Sequence, residues 1–187
     1  MEIYHPRFKE INLKYRKEAS KYTQQWAGEI TEKLIEELAK EKYNLIIEGT
    51  LRTSSLPLKE ASRFKKLTYM VELNVVAVKP EKSYLGTLLR YQEMLKQGKL
   101  PRMTPKEHHD LVAKNTGDNL DIIYSSKAFD DIKLYDRENE LLYSYRETPN
   151  ISPKDILEKE FNREWEIKKI KEYKEKWESY LKNKEKN

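Results

Sequence analysis

Apolar side chains recur at helical spacing along much of the chain. The first such stretch predicts an amphipathic helix from Tyr22 to Glu41, with its apolar face at Trp26, Ile30, Leu34, Ile35 and Leu38. Shorter stretches predict helices at Leu58–Lys66 and from Tyr84 to the neighbourhood of Gly98.

Two further helices are marked by their starting residues. Thr104 precedes Pro105 and is followed by Glu107, which together are typical of a capping box with proline at the first helical position. This helix is predicted to run to about Ser125. Ser152-Pro153 marks the start of the last helix in the same way.

Short apolar runs between the helices predict strands. Tyr43–Glu48 and Tyr69–Val78 are rich in β-branched residues and end at turn signals, as buried strands do. Ile132–Tyr135 and Leu141–Tyr145 predict a hairpin or a sheet edge. Because helices alternate with the earlier strands, the pattern predicts an α/β fold with a parallel sheet covered by helices.

Composition narrows the class of protein. The 187 residues suit one domain, and the absence of cysteine excludes disulfides and thiolate metal sites. No apolar run approaches the ~20 residues of a membrane helix, and the first residues do not form a secretory signal, so a cytoplasmic protein is expected.

The net charge of +5 suits an anionic partner. Lys168–Asn187 mixes Lys with Glu, however, which indicates a solvated helix rather than a nucleic-acid stripe.

The end of the first predicted strand is the first place to look for chemistry, because α/β sheets bind ligands beyond the carboxyl ends of their strands. Glu48 there is either paired and functional or simply faces solvent. Arg52, with Thr50 and Thr53, forms a possible phosphate site, since a guanidinium matches phosphate oxygens.

Other polar residues are less distinctive. Arg90 and Arg102 suit phosphoryl transfer if they flank a strand-end site, and are otherwise ordinary surface arginines. His108 and His109 are neighbours on a predicted helix and face different ways, so no metal site is expected. No GxxxxGK[ST] or GxGxxG motif occurs.

Four segments are distinctive when they are taken together. They are Thr23–Gly28; Tyr43–Thr53; Lys79–Glu81 with Ser83–Leu85 and Leu89–Tyr91; and Arg102 with Thr104–Asp110. In this order and spacing they resemble the zeta toxin family of bacterial toxin–antitoxin systems, over a region from about Ile3 to Tyr145.

The resemblance implies a P-loop kinase-like fold, in which a three-layer parallel sheet carries helices on both faces. It implies a kinase domain at residues 1–150, with a charged carboxy-terminal helix at 151–187 packed on it or extending from it. The implied enzyme transfers the γ-phosphate of ATP to the 3′-hydroxyl of UDP-N-acetylglucosamine and so blocks cell-wall synthesis. The implied partner is a small helical antitoxin; neither nucleic acid nor a membrane is implied.

Site residues follow from the same resemblance. The positions that match those holding the UDP-sugar are Glu32, Glu48, Thr50 and Arg52. Arg90 and Arg102 match the catalytic arginines that embrace the ATP phosphates. Glu60 stands where the family has Thr, which is a departure at one substrate contact.

A larger departure is expected at the beginning of the chain. Ile3-Tyr4-His5-Pro6 resembles the family's sequence just after its catalytic Asp. The resemblance therefore implies that the first strand, the P-loop and the first helix are lacking, and with them the groups that hold ATP and Mg²⁺ productively. A catalytically inactive chain is expected. The alternative is a non-catalytic module that binds the UDP-sugar or an antitoxin.

Overall fold

The structure, a computed structural model, describes residues 4–15, 18–99, 101 and 103–184. Their helices and strands are α1 Phe8–Tyr15, α2 Ala19–Lys40, α3 Ser55–Lys66, β1 Glu72–Val76, α4 Pro80–Lys96, α5 Lys106–Ser126, β2 Asp131–Tyr135, β3 Leu141–Ser144, α6 Pro153–Asn162 and α7 Ile167–Lys184. The predicted helices are confirmed. The charged carboxy-terminal segment forms two helices, α6 and α7, rather than one. Among the described residues, no helix is both long and apolar enough to cross a membrane.

The sheet is mixed rather than wholly parallel. β1 and β2 are parallel, with Glu72 opposite Asp131, and α4 and α5 lie in the connection between them. β3 runs antiparallel to β2, which confirms the predicted hairpin. Its short turn is held by Asp136, whose carboxylate accepts the backbone N–H groups of Glu138 and Glu140. So short a connection joins only antiparallel strands. The α/β class is confirmed, while the three-layer P-loop arrangement stays a prediction.

The predicted strand at Tyr43–Glu48 is wrong. Residues 43–50 have no regular secondary structure, and the side chain of Ile46 is 96% exposed. A strand requires a hydrogen-bonded neighbour, and the described sheet, ordered β1-β2-β3, provides none for this segment. The apolar, β-branched residues give this segment a propensity for strand, but without a pairing partner it does not form one.

The chain divides into two compact units. The first comprises Met1–Ile47, Leu85–Pro105 and Lys174–Asn187, and the second comprises Glu48–Tyr84 and Lys106–Tyr173. The domain boundary expected after residue 150 stays a prediction.

In the first unit, α1 packs against α2, and Tyr15 stacks on Tyr22 with ring centroids 4.0 Å apart. The side chain of Gln92 is buried and donates to the backbone carbonyl of Tyr180 at 2.9 Å. This bond ties α4 to the carboxy-terminal part of α7.

In the second unit, the sheet and α5 and α6 enclose the main hydrophobic core. Its fully buried members include Leu120 and Ile123 of α5, Leu134 of β2 and Leu157 of α6. α6 begins as predicted, because the Ser152 hydroxyl accepts the backbone N–H of Lys154.

Candidate functional site

The predicted site residues lie in both units. Glu32, on α2, and Arg90, on α4, belong to the first unit, and both are exposed. Glu48, Thr50 and Arg52 belong to the second unit, on the segment that precedes α3. Arg102 lies outside the described residues. The structure thus brings Glu48, Thr50 and Arg52 together on one loop.

This loop, residues 48–54, does not follow a strand, so the strand-end argument for Glu48 is wrong. Glu48, Thr50 and Arg52 are nevertheless exposed, and they present a carboxylate, a hydroxyl and a guanidinium from neighbouring positions. The carboxylate and the hydroxyl can accept hydrogen bonds from sugar hydroxyl groups, and the guanidinium can donate hydrogen bonds to phosphate oxygens. The chemistry predicted for the loop is compatible with its exposure.

The loop is attached to the core through Leu51. The Leu51 side chain is half-buried and packs against the hydrophobic core of the second unit. Its backbone has a φ of 52°, in the left-handed region that non-glycine residues seldom adopt. This turn directs the side chain of Leu51 inward while its two neighbours, Thr50 and Arg52, stay exposed.

Asn119 of α5 makes the second attachment, which sequence reasoning missed. Its side-chain amide nitrogen donates to the carbonyl oxygen of Leu51 at 3.0 Å and to that of Arg52 at 2.9 Å. No local signal could have found these bonds, because they join positions 68 and 67 residues apart.

α5 is itself held to α6 by polar contacts on either side of Asn119. Lys154 Nζ lies 2.7 Å from an oxygen of Asp118, and the Ser152 hydroxyl donates to Asp121 at 2.7 Å. The hydrogen bond from Lys154 lowers the pKa of Asp118, and that carboxylate raises the pKa of Lys154. These contacts therefore hold α5, the helix that bears Asn119, against α6.

Glu60 departs from the family pattern, and its carboxylate is occupied within α3. It forms an ion pair with Arg63, one helical turn later, and both side chains are partly buried. The Arg63 guanidinium also lies over the Phe64 ring, with its central carbon 5.1 Å from the ring centroid. Glu60 is thus engaged by its own helix.

The carboxyl ends of β1 and β2 border a separate small cavity of about 40 Å³. Trp165 forms part of its wall, with the amino groups of Lys79 and Lys82 at 5.9 and 5.0 Å from the ring. Lys79 also donates to the carbonyl of Phe161 at 2.6 Å. The cavity has room for only a few water molecules.

Binding of ATP and Mg²⁺ by the described residues stays a prediction. They contain no group of three or more His, Cys, Asp or Glu side chains that could hold a metal ion. Binding of a sugar nucleotide at loop 48–54 likewise stays a prediction.

Comparison with known proteins decides the family. The model of the zeta toxin family matches residues 1–148. The chain belongs to the zeta toxin family. The resemblance seen in the sequence is therefore confirmed.

Relatives within this family cover most of the chain. It is 42% identical over 167 residues to the toxin zeta of Streptococcus agalactiae, and 41% identical over the same length to that of Enterococcus hirae. It is 38% identical over 162 residues to the toxin PezT of Streptococcus pneumoniae. These matches cover 86–89% of this chain. The chain spans 58% of the length of the two zeta toxins and 64% of PezT.

A solved structure shares the fold. It comes from the PezAT chromosomal toxin–antitoxin system of Streptococcus pneumoniae and is 36% identical in sequence, with a TM-score of 0.79. The similarity covers 96% of this chain and 69% of that one. The zeta toxin fold is thus present across nearly all of these residues.

Proposed function

We propose that this chain binds UDP-N-acetylglucosamine as the sugar-nucleotide part of a zeta-type kinase. One observation carries the proposal: in a member of the zeta toxin family, loop 48–54 is held in place while Glu48, Thr50 and Arg52 remain exposed. The Arg52 guanidinium suits the diphosphate, because its fork of N–H donors matches phosphate oxygens. The Glu48 carboxylate and the Thr50 hydroxyl suit hydroxyl groups of the sugar or ribose. Glu32 of α2 lies in the other unit, and its role stays a proposal that rests on family membership alone.

The reaction proposed for the zeta-type kinase is transfer of the ATP γ-phosphate to the 3′-hydroxyl of the bound sugar. Family membership supports it, with Arg90 and Arg102 proposed at the phosphates. The sequence contains no GxxxxGK[ST] motif to cradle the β- and γ-phosphates. From a protein of these 187 residues we therefore expect binding of the nucleotide sugar without turnover.

Calorimetric titration of the purified chain with UDP-N-acetylglucosamine tests the proposal. We expect saturable binding that weakens at least tenfold in Arg52→Ala, since a charge-assisted hydrogen bond contributes about 1.5–3 kcal/mol. Arg137→Ala removes an exposed arginine from the β2–β3 turn and serves as the matched control with unchanged affinity. A flat titration with a folded sample would contradict the proposal.

A second proposal concerns the protein partner. The similar solved structure comes from a toxin–antitoxin system, and this supports a small antitoxin as a partner of the present chain. Size-exclusion chromatography of the chain mixed with the antitoxin of the pneumococcal system tests this. Co-elution is expected, and separate elution at micromolar concentrations of both proteins would count against it.

A further inference from the structure

Two consecutive carbonyl groups of loop 48–54 are held by a single side chain. The Asn119 amide nitrogen, which carries two protons, donates to the Leu51 oxygen at 3.0 Å and to the Arg52 oxygen at 2.9 Å. A carboxylate at this position would have no proton to donate and would face both oxygens with negative charge. The contact therefore requires a hydrogen-bond donor at position 119 and not merely a polar residue.

These bonds act on the part of the loop that most needs support. Leu51 has a left-handed backbone, which is unfavourable for a non-glycine residue and persists only where the surroundings hold it. The direction of the Arg52 side chain depends on this turn, because Arg52 follows directly. The Arg52 guanidinium has no ion-pair partner in the described part of the chain, so no salt bridge fixes its direction. Asn119 thus provides the constraint that the exposed arginine itself lacks.

We propose that Asn119 is a positioning residue for the sugar-nucleotide site: it fixes the backbone at Leu51 and Arg52 so that the Arg52 guanidinium meets the diphosphate of the ligand. This inference rests on the proposed binding function. Asn119 acts through the loop and does not itself touch the ligand. The helix that carries Asn119, α5, is held to α6, because Asp118 is bonded to Lys154 and Asp121 to Ser152. The backbone that carries the arginine is then already held when phosphate binds, which spares part of the entropic cost of binding.

The first test measures whether the loop is held, without any ligand. Trypsin cleaves after Arg52 only when the Arg52 carbonyl group enters its active site, and this is the group to which Asn119 donates. Asn119→Asp and Asn119→Ala should each speed cleavage between Arg52 and Thr53 about tenfold, as expected for the loss of two ordinary hydrogen bonds. Mass spectrometry of the fragment that begins at Thr53 gives the rate. Asn115→Asp makes the same chemical change one turn earlier in α5 and should leave the rate unchanged.

The second test measures binding of UDP-N-acetylglucosamine by calorimetry. Both Asn119 variants should lose about tenfold in affinity, while Asn115→Asp keeps the wild-type value. In an Arg52→Ala background, Asn119→Ala should cause no further loss, because its effect passes through that arginine. A merely structural role would instead lower affinity equally in both backgrounds. Circular dichroism confirms that each variant is folded.

The outcomes separate the two proposals. If the folded wild-type chain does not bind the nucleotide sugar, the proposed function is overturned and the positioning role falls with it. If the wild type binds and the Asn119 variants bind equally well, only the positioning role is overturned. Unchanged cleavage after Arg52 in both variants would likewise overturn it. Faster cleavage together with weaker, Arg52-dependent binding supports it.

Discussion

The hydroxyl of Ser144 lies 3.3 Å from each carboxylate oxygen of Asp131, so a charged side chain on β2 is bonded to β3. Asp131 is 1% exposed and also accepts the backbone N–H groups of Ile132 and Arg146. The Lys133 amino group lies 3.6 Å away. A buried carboxylate is tolerated only with such partners, so Asp131 is a polar junction between the strands.

Replacing this carboxylate should destabilise the protein strongly. Asp131→Ala leaves the Ser144 hydroxyl and two backbone N–H groups without their acceptor, and we expect a loss of about 2–4 kcal/mol in the free energy of unfolding. Urea denaturation followed by circular dichroism measures it. Glu147→Ala removes an exposed carboxylate nearby and should change stability by less than about 0.5 kcal/mol. Equal, small effects in both variants would show that Asp131 is not a junction.

Because of the neighbouring Asp130, the free energy of unfolding should depend on pH. Hydrogen bonds from the Lys65 amino group at 2.6 Å and from the Val71 backbone N–H at 2.7 Å lower the pKa of Asp130 below its ordinary value. The unfolded chain therefore binds a proton more readily than the folded one. The stabilisation is complete above the ordinary aspartate pKa and is lost as the pH falls through the lower, folded value.

Unfolding in urea at a series of pH values, from neutral down to about 2, tests this linkage. Asp130→Asn should be less stable than wild type at neutral pH, and the two should converge at the acidic end. Asp155→Asn changes an exposed carboxyl on α6 and should retain the wild-type dependence on pH. Parallel curves for Asp130→Asn and wild type would refute the linkage.

Gly117 should accept a methyl group with a gain in stability. It lies inside α5, where glycine is about 0.5–1 kcal/mol worse than alanine. A Cβ there would meet Lys154 Cγ at 3.5 Å and a Glu158 carboxylate oxygen at 3.6 Å, which are ordinary contacts. Gly117→Ala should therefore raise the free energy of unfolding by about 0.5–1 kcal/mol.

Thermal unfolding compares this variant with Gly98→Ala, which should behave in the opposite way. Gly98 has a φ of +64°, so a side chain there is strained although no atom lies close to it. The expected loss is about 1 kcal/mol. A loss of stability in Gly117→Ala would mean that α6 cannot accommodate the added carbon atom.

The features predicted correctly from the sequence depend on residues close together in the chain. The hydroxyl of Ser152 and the ring of Pro153 act on the next helical turn, so the start of α6 could be read directly. The turn at Asp136 is equally local, and the hairpin that it closes was predicted.

The features that were missed depend on distant partners. Tyr43–Glu48 has the composition of a strand, but pairing is a property of two segments, and composition describes only one. Asn119 looks like any polar residue on a helix surface until the loop 67 residues earlier is folded against it. The candidate loop could be found from the sequence, whereas the group that holds it could not.

The exposed segment Tyr43–Glu48 also bears on the solubility of this protein. It contains neither glycine nor proline, and Leu45, Ile46 and Ile47 follow one another, as in segments that stack into cross-β fibrils. Lys42 and Glu48 place opposite charges at its two ends, as gatekeeper residues against self-association do. Salt screens such charges. We therefore expect this segment to be a starting point for aggregation in concentrated, salty solution, despite a mean hydropathy of −0.94 for the whole chain.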